Sequence, residues 1–333
     1  MALTSRITLT GALGEDPEDI FGSSLGVIFP DDVMNQHGDS DHGLLYKSPH
    51  LPRPLHISLA APDGDEDRRL FSHYLWNASL LLAELVEAGT LGLEPEQGQQ
   101  GQQQHGPPAA HFDVAGLDTV ELGAGTALPS LLAALLGARR VLVTDYPAPA
   151  VMANLRANVA RNARPDMAPL SPGDAAAAVP DVEVEVGGHA WGDLDTALAA
   201  GGRHAFDRVL VCDCLWMPWQ HGDLLRSIEW FLKEEEDDDG ARCWVVAGFH
   251  TGREKMRGFF EEGRLAEVGL EVERIWERDC DGVEREWAWD RGYEDPVGRK
   301  RWLVCAVLKR RGKKAGETNG NGVSENGNVE AQG

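Results

Sequence analysis

Short apolar runs alternate with segments of helical spacing along most of the chain. Strand-like runs occupy residues 118–122, 141–144, 182–186, 206–213 and 242–249. Helical spacing of apolar residues marks residues 69–88, 148–163, 221–232 and 253–268. Strands that alternate with helices predict a mostly parallel sheet with helices on both faces. In such a sheet the ligand site lies at the carboxyl ends of the strands.

The two ends of this alternating region carry patterns of their own. Residues 55–59 alternate as a half-buried strand, and the helical segment 69–88 places Trp76 in the middle of a helix. Residues 270–276 and 301–308 predict an antiparallel pair of strands that closes the sheet. Together these patterns predict one α/β domain.

The segment 119–145 is typical of half of a nucleotide-binding unit. Gly123 and Gly125 follow a strand and permit a tight turn, and Pro129 suits the first turn of the next helix. Asp145 ends the following strand about 20 residues later, where an acidic residue can bind two ribose hydroxyls. Leu128 takes the place of the third glycine of dinucleotide-binding turns. The turn therefore favours an adenosine ligand without a phosphate, such as S-adenosylmethionine, over NAD. The alternative is an ordinary turn with a solvated aspartate.

Charge narrows the possible partners. The 333-residue chain has 31 Lys and Arg against 54 Asp and Glu, a net charge of -23. This balance disfavours direct nucleic-acid binding and suits a basic protein partner or a cationic substrate, unless it serves only solubility. No segment approaches the length of about 18 apolar residues that a membrane span needs. We expect a cytoplasmic monomer that does not bind membranes.

The five cysteines show no metal-binding spacing. Cys212 and Cys214 point to opposite faces if they share a strand, which argues against their binding one metal ion. We therefore expect reduced thiols and no metal.

Composition divides the chain into a domain with extensions. Residues 1–45 form an acidic arm that the catalytic fold is not expected to need, and residues 46–308 form the domain. Insertions are predicted at about 93–111 and 164–181, and a disordered tail at 309–333. Within the arm, the acidic segment 15–19 precedes Ile20 and Phe21 and could dock beside the active site, or it could be disordered.

Five motifs together resemble those of the seven-strand methyltransferases that modify lysines and N-termini of proteins. They are residues 74–78, 121–129, 143–147, 189–192 and 211–216. The resemblance implies a Rossmann-like, seven-stranded class I methyltransferase that uses S-adenosylmethionine. Within this family the chain is most similar to the fungal enzymes that methylate elongation factor 1-alpha at its N-terminal glycine and adjacent lysine. Those enzymes were once described as nicotinamide N-methyltransferases.

The resemblance also implies roles for single residues. Trp76 and Trp191 would border the cofactor, and Asp145 would hold its ribose hydroxyls. The turn Gly123, Ala124 and Gly125 would pass under the methionine and ribose, and Cys212 would lie beside the adenine. Many relatives have Asp-x-x-Tyr where this chain has Asp213 and Trp216, so no tyrosine hydroxyl is available there.

The chemistry of amine methylation suggests roles for Asp213 and Trp216. Asp213 is the candidate for orienting the substrate amine, and Trp216 could face the methylated cation. An α-amino group with a pKa of about 7.7 to 8.0 is partly neutral already, whereas a lysine near about 10.4 is not. The leading hypothesis is therefore methylation of a protein N-terminus. The alternatives are methylation of a small amine such as nicotinamide and a non-enzymatic binding module.

Overall fold

The computed structural model describes residues 2–10, 35–38, 42–61, 64, 71–72, 74–93, 104–169, 182–234 and 240–312. The predicted acidic segment 15–19, with Ile20 and Phe21, lies outside the described residues, and so do residues 313–333.

The described residues contain thirteen strands and eight α-helices. The strands are β1 Ile7–Leu9, β2 Gln36–His37, β3 Leu44–Tyr46, β4 Leu55–Ile57, β5 Leu75–Trp76, β6 Asp118–Leu122, β7 Arg140–Asp145, β8 Glu183–Gly188, β9 Arg208–Cys212, β10 Arg242–Gly248, β11 Leu270–Asp279, β12 Glu284–Glu286 and β13 Trp302–Arg310. The helices are α1 Asn77–Thr90, α2 Leu128–Leu135, α3 Pro149–Asn162, α4 Ala197–Gly202, α5 His221–Phe231, α6 Arg253–Arg257, α7 Glu262–Glu267 and α8 Pro296–Arg299.

Eight of the described strands form the central sheet, in the order β12-β11-β13-β10-β9-β6-β7-β8. The strands from β10 to β8 pair in parallel, whereas β11 and β13 pair antiparallel with each other and β13 with β10. The predicted Rossmann-like sheet with a closing antiparallel pair is confirmed. The strand beyond the expected seven is β12, a three-residue edge strand too short and polar to stand out in the sequence.

Alternate residues of the central strands enter two separate cores. Leu210 and Cys212 pack with α1, α2 and α3 on one face, and Val209 and Val211 pack with α4 to α7 on the other. The predicted helices on both faces are thus confirmed. Cys212 ends β9 and Cys214 lies beyond it, so they do not share a strand, yet they belong to opposite cores. All five cysteines are free and buried.

The predicted helix at 69–88 begins later than its apolar spacing suggests. Phe71 has a left-handed φ of 53°, which helices do not continue through, and β5 pairs with β2. Trp76 therefore precedes the first turn of α1 with an extended backbone, and its predicted mid-helix position is wrong.

The predicted helix at 253–268 is divided. Helices α6 and α7 are separated by a 3-10 turn at Gly258–Phe260, which buries both Phe259 and Phe260. A continuous helix would point these adjacent side chains in directions about 100° apart.

The first residues of the chain belong to the folded domain. Strand β1 pairs with β3, so the boundary predicted at residue 45 falls inside a strand. Leu3 is buried and donates its N–H to the Cys280 carbonyl. Arg6 pairs with Glu84 and with the buried Glu87 of α1 at 2.6 and 2.8 Å. Residues 3–9 of the predicted arm thus pack against the domain.

The predicted insertion at 93–111 is packed over its second half. The N–H groups of His105 and Gly106 donate to Glu284, and Phe112 packs against Trp244 and Trp276. In the second insertion, Pro165–Met167 form a 3-10 turn that buries Met167. No helix within the described residues is both long and apolar enough to cross a bilayer.

Candidate active site

A cleft crosses the carboxyl ends of the parallel strands, with about 890 Å³ of space including the part open to solvent. Its lining contains every residue predicted for the site, namely Trp76, Gly123, Ala124, Gly125, Asp145, Trp191, Cys212, Asp213 and Trp216. The structure thus brings together side chains that the sequence spreads over more than a hundred positions.

The turn between β6 and α2 forms the centre of the cleft floor. Gly123 and Gly125 have left-handed φ values of 71° and 54°. A Cβ atom at Gly123 would lie 2.7 Å from the Cys214 Sγ and 3.1 Å from the Trp191 ring. Ala127 also has a left-handed φ, of 66°, just before α2. Such strain in a non-glycine residue is typical of functional sites.

Asp145 lies at the end of β7 and faces this turn. Its Oδ2 accepts the Gly125 N–H and its Oδ1 accepts the Tyr146 N–H, both at 2.7 Å. Burial raises the pKa of this carboxyl to about 6, although the two hydrogen bonds oppose the shift. Each carboxylate oxygen has more than one lone pair, so both can accept a further hydrogen bond.

The loop after β8 closes this end of the cleft and is fastened to α5. His189 contacts the Ser227 hydroxyl through Nε2 at 2.9 Å, and the Gly192 N–H donates to the same hydroxyl at 2.9 Å. The His189 N–H also donates to the Asp145 carbonyl. These bonds hold Trp191 over Gly123.

A buried carboxyl group lies beneath the floor. Glu121 on β6 is fully buried, and its Oε2 accepts hydrogen bonds from the Ser130 N–H at 3.1 Å and hydroxyl at 2.5 Å. Its Oε1 has no hydrogen-bond partner among the described residues. Burial raises the pKa of Glu121 to about 8, and the charge of Asp145 adds to this rise.

The other end of the cleft lies where β9 and β10 end. Asp213 has a left-handed φ of 56° and is nearly buried. Its Oδ1 accepts the Gly248 N–H at 3.2 Å and lies 3.2 Å from the His250 Nε2. Burial raises the pKa of Asp213, and the nearby His250 opposes the rise.

Aromatic rings form the wall at this end. The His250 ring stacks on Trp76 with centroids 5.0 Å apart, and the Trp76 Nε1–H donates to the Phe71 carbonyl at 3.1 Å. Phe71 in turn packs edge to face against Trp216 at 5.3 Å. Trp76 is thus held by contacts on its ring face and at its indole nitrogen.

His250 contacts two residues of the lining without belonging to it, and the sequence did not single it out. It lies in the 3-10 turn after β10, next to the strand that carries Asp213. Neighbouring parallel strands end at the same edge of a sheet, so a polar residue that follows 242–249 can meet Asp213 if the two strands are neighbours. The sequence alone does not show that β9 and β10 are neighbours.

Polar atoms in the cleft suit a ligand with several hydrogen-bonding groups. The Ser72 and Thr126 hydroxyls are buried in its lining and have no hydrogen-bond partner among the described residues. No Lys or Arg belongs to the described lining, which has the carboxylates of Asp145 and Asp213. The cleft therefore fits S-adenosylmethionine, whose ribose hydroxyls need acceptors and whose sulfonium is a cation. No group of three metal-binding side chains occurs in the described part of the chain.

Residues 65–263 match the lysine methyltransferase family. A relative is the protein N-terminal and lysine N-methyltransferase efm7 of Emericella nidulans, 28% identical over 173 residues, which span 50% of this chain and 55% of that protein. The EFM7 of Gibberella zeae is 28% identical over 242 residues, or 69% of this chain and 75% of its own. The EFM7 of Eremothecium gossypii is 33% identical over 210 residues, which span 62% of this chain and 66% of that protein.

The family match covers more than half of the chain and reaches from the aromatic wall to beyond β10. It includes the glycine turn, both carboxylates of the cleft and His250. S-adenosylmethionine is the methyl donor of such an enzyme. On these grounds the chain belongs to the lysine methyltransferase family.

Proposed function

We propose that this enzyme methylates the N-terminal glycine and the adjacent lysine of elongation factor 1-alpha in the cytoplasm. The similar proteins of Emericella nidulans, Gibberella zeae and Eremothecium gossypii are named as protein N-terminal and lysine N-methyltransferases. The choice of elongation factor 1-alpha rests on the resemblance of five sequence motifs to the fungal enzymes that modify it.

The observation that carries the proposal is the charge of the cleft. Two buried carboxylates and a wall of aromatic rings line it, without a Lys or Arg in the described lining. A cationic amine is attracted by carboxylates and by the faces of aromatic rings, the latter by about 0.5 to 2 kcal/mol per contact. A phosphate backbone would be repelled by the same carboxylates.

The end formed by β6 to β8 would hold the cofactor. Asp145 accepts the ribose hydroxyls while it keeps the Gly125 N–H in place, and Trp191 covers the turn from the other side. Ala124 and Gly125 supply backbone close to the ligand because no large side chain intervenes. Cys212 completes the cofactor pocket, and Trp76 borders it where the two ends of the cleft meet.

The end formed by β9 and β10 would hold the amine. When bound, S-adenosylmethionine would supply an electrophilic methyl group and leave as the neutral thioether S-adenosylhomocysteine. Asp213 orients the amine with its carboxylate, and Trp216 contacts the cation that each transfer leaves. The amine must lose a proton before it attacks, and holding it in line makes an effectively unimolecular step. To become neutral near pH 7, the α-amino group needs a smaller decrease in pKa than a lysine does, since its pKa is about 7.7 to 8.0.

The test uses unmethylated elongation factor 1-alpha with a free N-terminal glycine. After reaction with labelled S-adenosylmethionine, mass spectrometry of the N-terminal peptide should place methyl groups on the glycine and the adjacent lysine. A substrate with an acetylated N-terminus should lose the first modification, and a Lys→Arg substrate should lose the second.

Nicotinamide offered in parallel tests the small-molecule alternative. Label on nicotinamide with none on elongation factor 1-alpha would contradict the proposal. Binding of S-adenosylmethionine without transfer to any substrate would favour the binding-module alternative.

A further inference from the structure

His250 lies at the β9–β10 end, in contact with both Asp213 and Trp76, but it is not part of the cleft lining. Its Nε2 lies 3.2 Å from the Asp213 Oδ1, and its ring stacks on Trp76 at 28° between planes. Both of these partners line the cleft. A single imidazole therefore contacts the candidate acceptor of the amine and the aromatic ring beside it.

The backbone around His250 is adapted to this position. A Cβ atom at Gly248 would lie 2.9 Å from the His250 Nδ1, so a side chain there would displace the ring. The Gly248 N–H also donates to the Asp213 Oδ1, at 3.2 Å. The same glycine thus makes room for the imidazole and supports the carboxylate.

The group formed by Asp213, His250, Trp76 and Phe71 begins and ends with a residue of strained backbone. Asp213 and Phe71 are non-glycine residues with left-handed φ values of 56° and 53°. Phe71 is joined to the group because its carbonyl accepts the Trp76 Nε1–H. Strain of this kind persists only where surrounding contacts over-determine it.

We propose that His250 is a positioning residue for the methyl-accepting amine, acting through Asp213 and Trp76. Its Nε2–H holds the Asp213 carboxylate in one orientation, and its ring supports the Trp76 face against which the substrate packs. This inference rests on the proposed function, because it assigns the β9–β10 end to the substrate amine.

Two substitutions separate the two contacts. His250→Phe keeps a ring against Trp76 and removes the donor to Asp213. We expect kcat to fall about 10- to 100-fold with KM for the protein substrate nearly unchanged, since a hydrogen bond to a charged group is lost. His250→Gln keeps a donor and removes the ring. It should retain kcat within about fivefold and raise KM, because Trp76 is no longer supported.

The matched control is His204. It too lies beside a carboxylate, with Nδ1 3.1 Å from Glu234, and packs edge to face on a tryptophan, Trp230 at 6.5 Å. Unlike the partners of His250, neither Glu234 nor Trp230 lines the cleft. His204→Phe and His204→Gln should leave both kinetic constants unchanged. A second readout is the nitrogen-15 spectrum of labelled histidine, in which Asp213→Asn should shift the His250 Nε2–H signal.

The outcomes separate the two proposals. If wild-type enzyme methylates a protein while both His250 variants behave like the His204 controls, the positioning role is wrong and the proposed function stands. If both His250 variants lose kcat equally, or if the affinity of His250→Phe for S-adenosylmethionine falls along with its kcat, His250 acts through the fold and the inference is overturned. If the wild-type enzyme methylates no protein, the proposed function fails first.

Discussion

The two ends of the cleft are built by different means. At the β6–β8 end, backbone geometry dominates: left-handed glycines form the turn, and backbone N–H groups bind Asp145. At the β9–β10 end, side chains from distant parts of the chain meet, as Trp76, Asp213 and His250 do. The first end is local in sequence, since 20 positions separate Gly125 from Asp145.

This difference suggests separate tasks. A turn made from backbone offers a rigid cradle to a ligand that every member of a methyltransferase family shares. An assembly of side chains can change one residue at a time and so adapt to a particular substrate. We therefore expect substitutions at the first end to change cofactor affinity and substitutions at the second to change turnover.

The largest effect is expected from Gly123→Ala at the first end. The new methyl group would lie 2.7 Å from the Cys214 Sγ and force a left-handed alanine, so the turn must move. We expect affinity for S-adenosylmethionine to fall by more than about 100-fold, measured by calorimetry. Gly116→Ala is the control, because Gly116 has the same φ of 71° with nothing near its Cβ position. Equal losses in both variants would show that backbone strain alone is responsible.

The second-largest effect is expected from Asp145→Asn, with a loss of cofactor affinity of roughly 10- to 100-fold. The amide keeps one acceptor, whereas the carboxylate serves the Gly125 N–H and the ribose hydroxyls together. Affinity of the wild type should also increase as the pH rises through about 6, where the buried Asp145 carboxyl ionises. The variant should lack this pH dependence. Unchanged affinity in the variant would remove Asp145 from the cofactor site.

Asp213→Asn should give the opposite pattern at the second end. Asparagine tolerates a left-handed φ, so the backbone of Asp213 should be retained. We expect kcat to fall about 10-fold or more while affinity for S-adenosylmethionine stays within about threefold. A loss of cofactor affinity equal to that of Asp145→Asn would mean that the two ends do not have separate tasks.

The smallest effect on the cleft is expected from Glu121→Gln, which lies beneath its floor. The folded protein keeps the Glu121 proton up to about pH 8, whereas the unfolded chain releases it near about pH 4.3. Between these values the folded state binds more protons, so wild-type stability should decrease as the pH rises. Glutamine should remove this decrease, by at most about 1.4 kcal/mol per pH unit.

The measurement is the free energy of unfolding in denaturant at several pH values. Glu262→Gln is the control, since the Glu262 side chain is 85% exposed. If the free energy of unfolding changes with pH in the same way in wild type and Glu121→Gln, the raised pKa of Glu121 is contradicted. Cofactor affinity and turnover should be nearly equal in the two proteins at neutral pH.

The first end of the cleft could be predicted from the sequence because its signals are close together. Glycines, a helix-starting proline and an aspartate in register specify a strand, a turn and an acceptor without tertiary information. Asp213 was also found, as the acidic residue that ends an apolar strand. His250 was not, because its role depends on β10 lying beside β9.

The start of α1 shows a second limit. Apolar spacing continues through residues 70–75, but Leu75 and Trp76 pair with β2 instead of forming a helical turn. Pairing between segments about 40 positions apart decided the local structure there. The difference matters for the site, since Trp76 belongs to the wall of the cleft and not to a helix face.

The position of β13 has a consequence for how the protein is made. This strand is the last along the described chain, yet it lies inside the sheet, between β10 and β11. A nascent chain that has not reached residue 302 therefore leaves the inner edge of β10 without its neighbour. Contacts of such long sequence separation slow folding and expose unpaired strand edges. Ribosomal synthesis must deliver nearly the whole domain before its sheet can close, and chaperones have that interval in which to act.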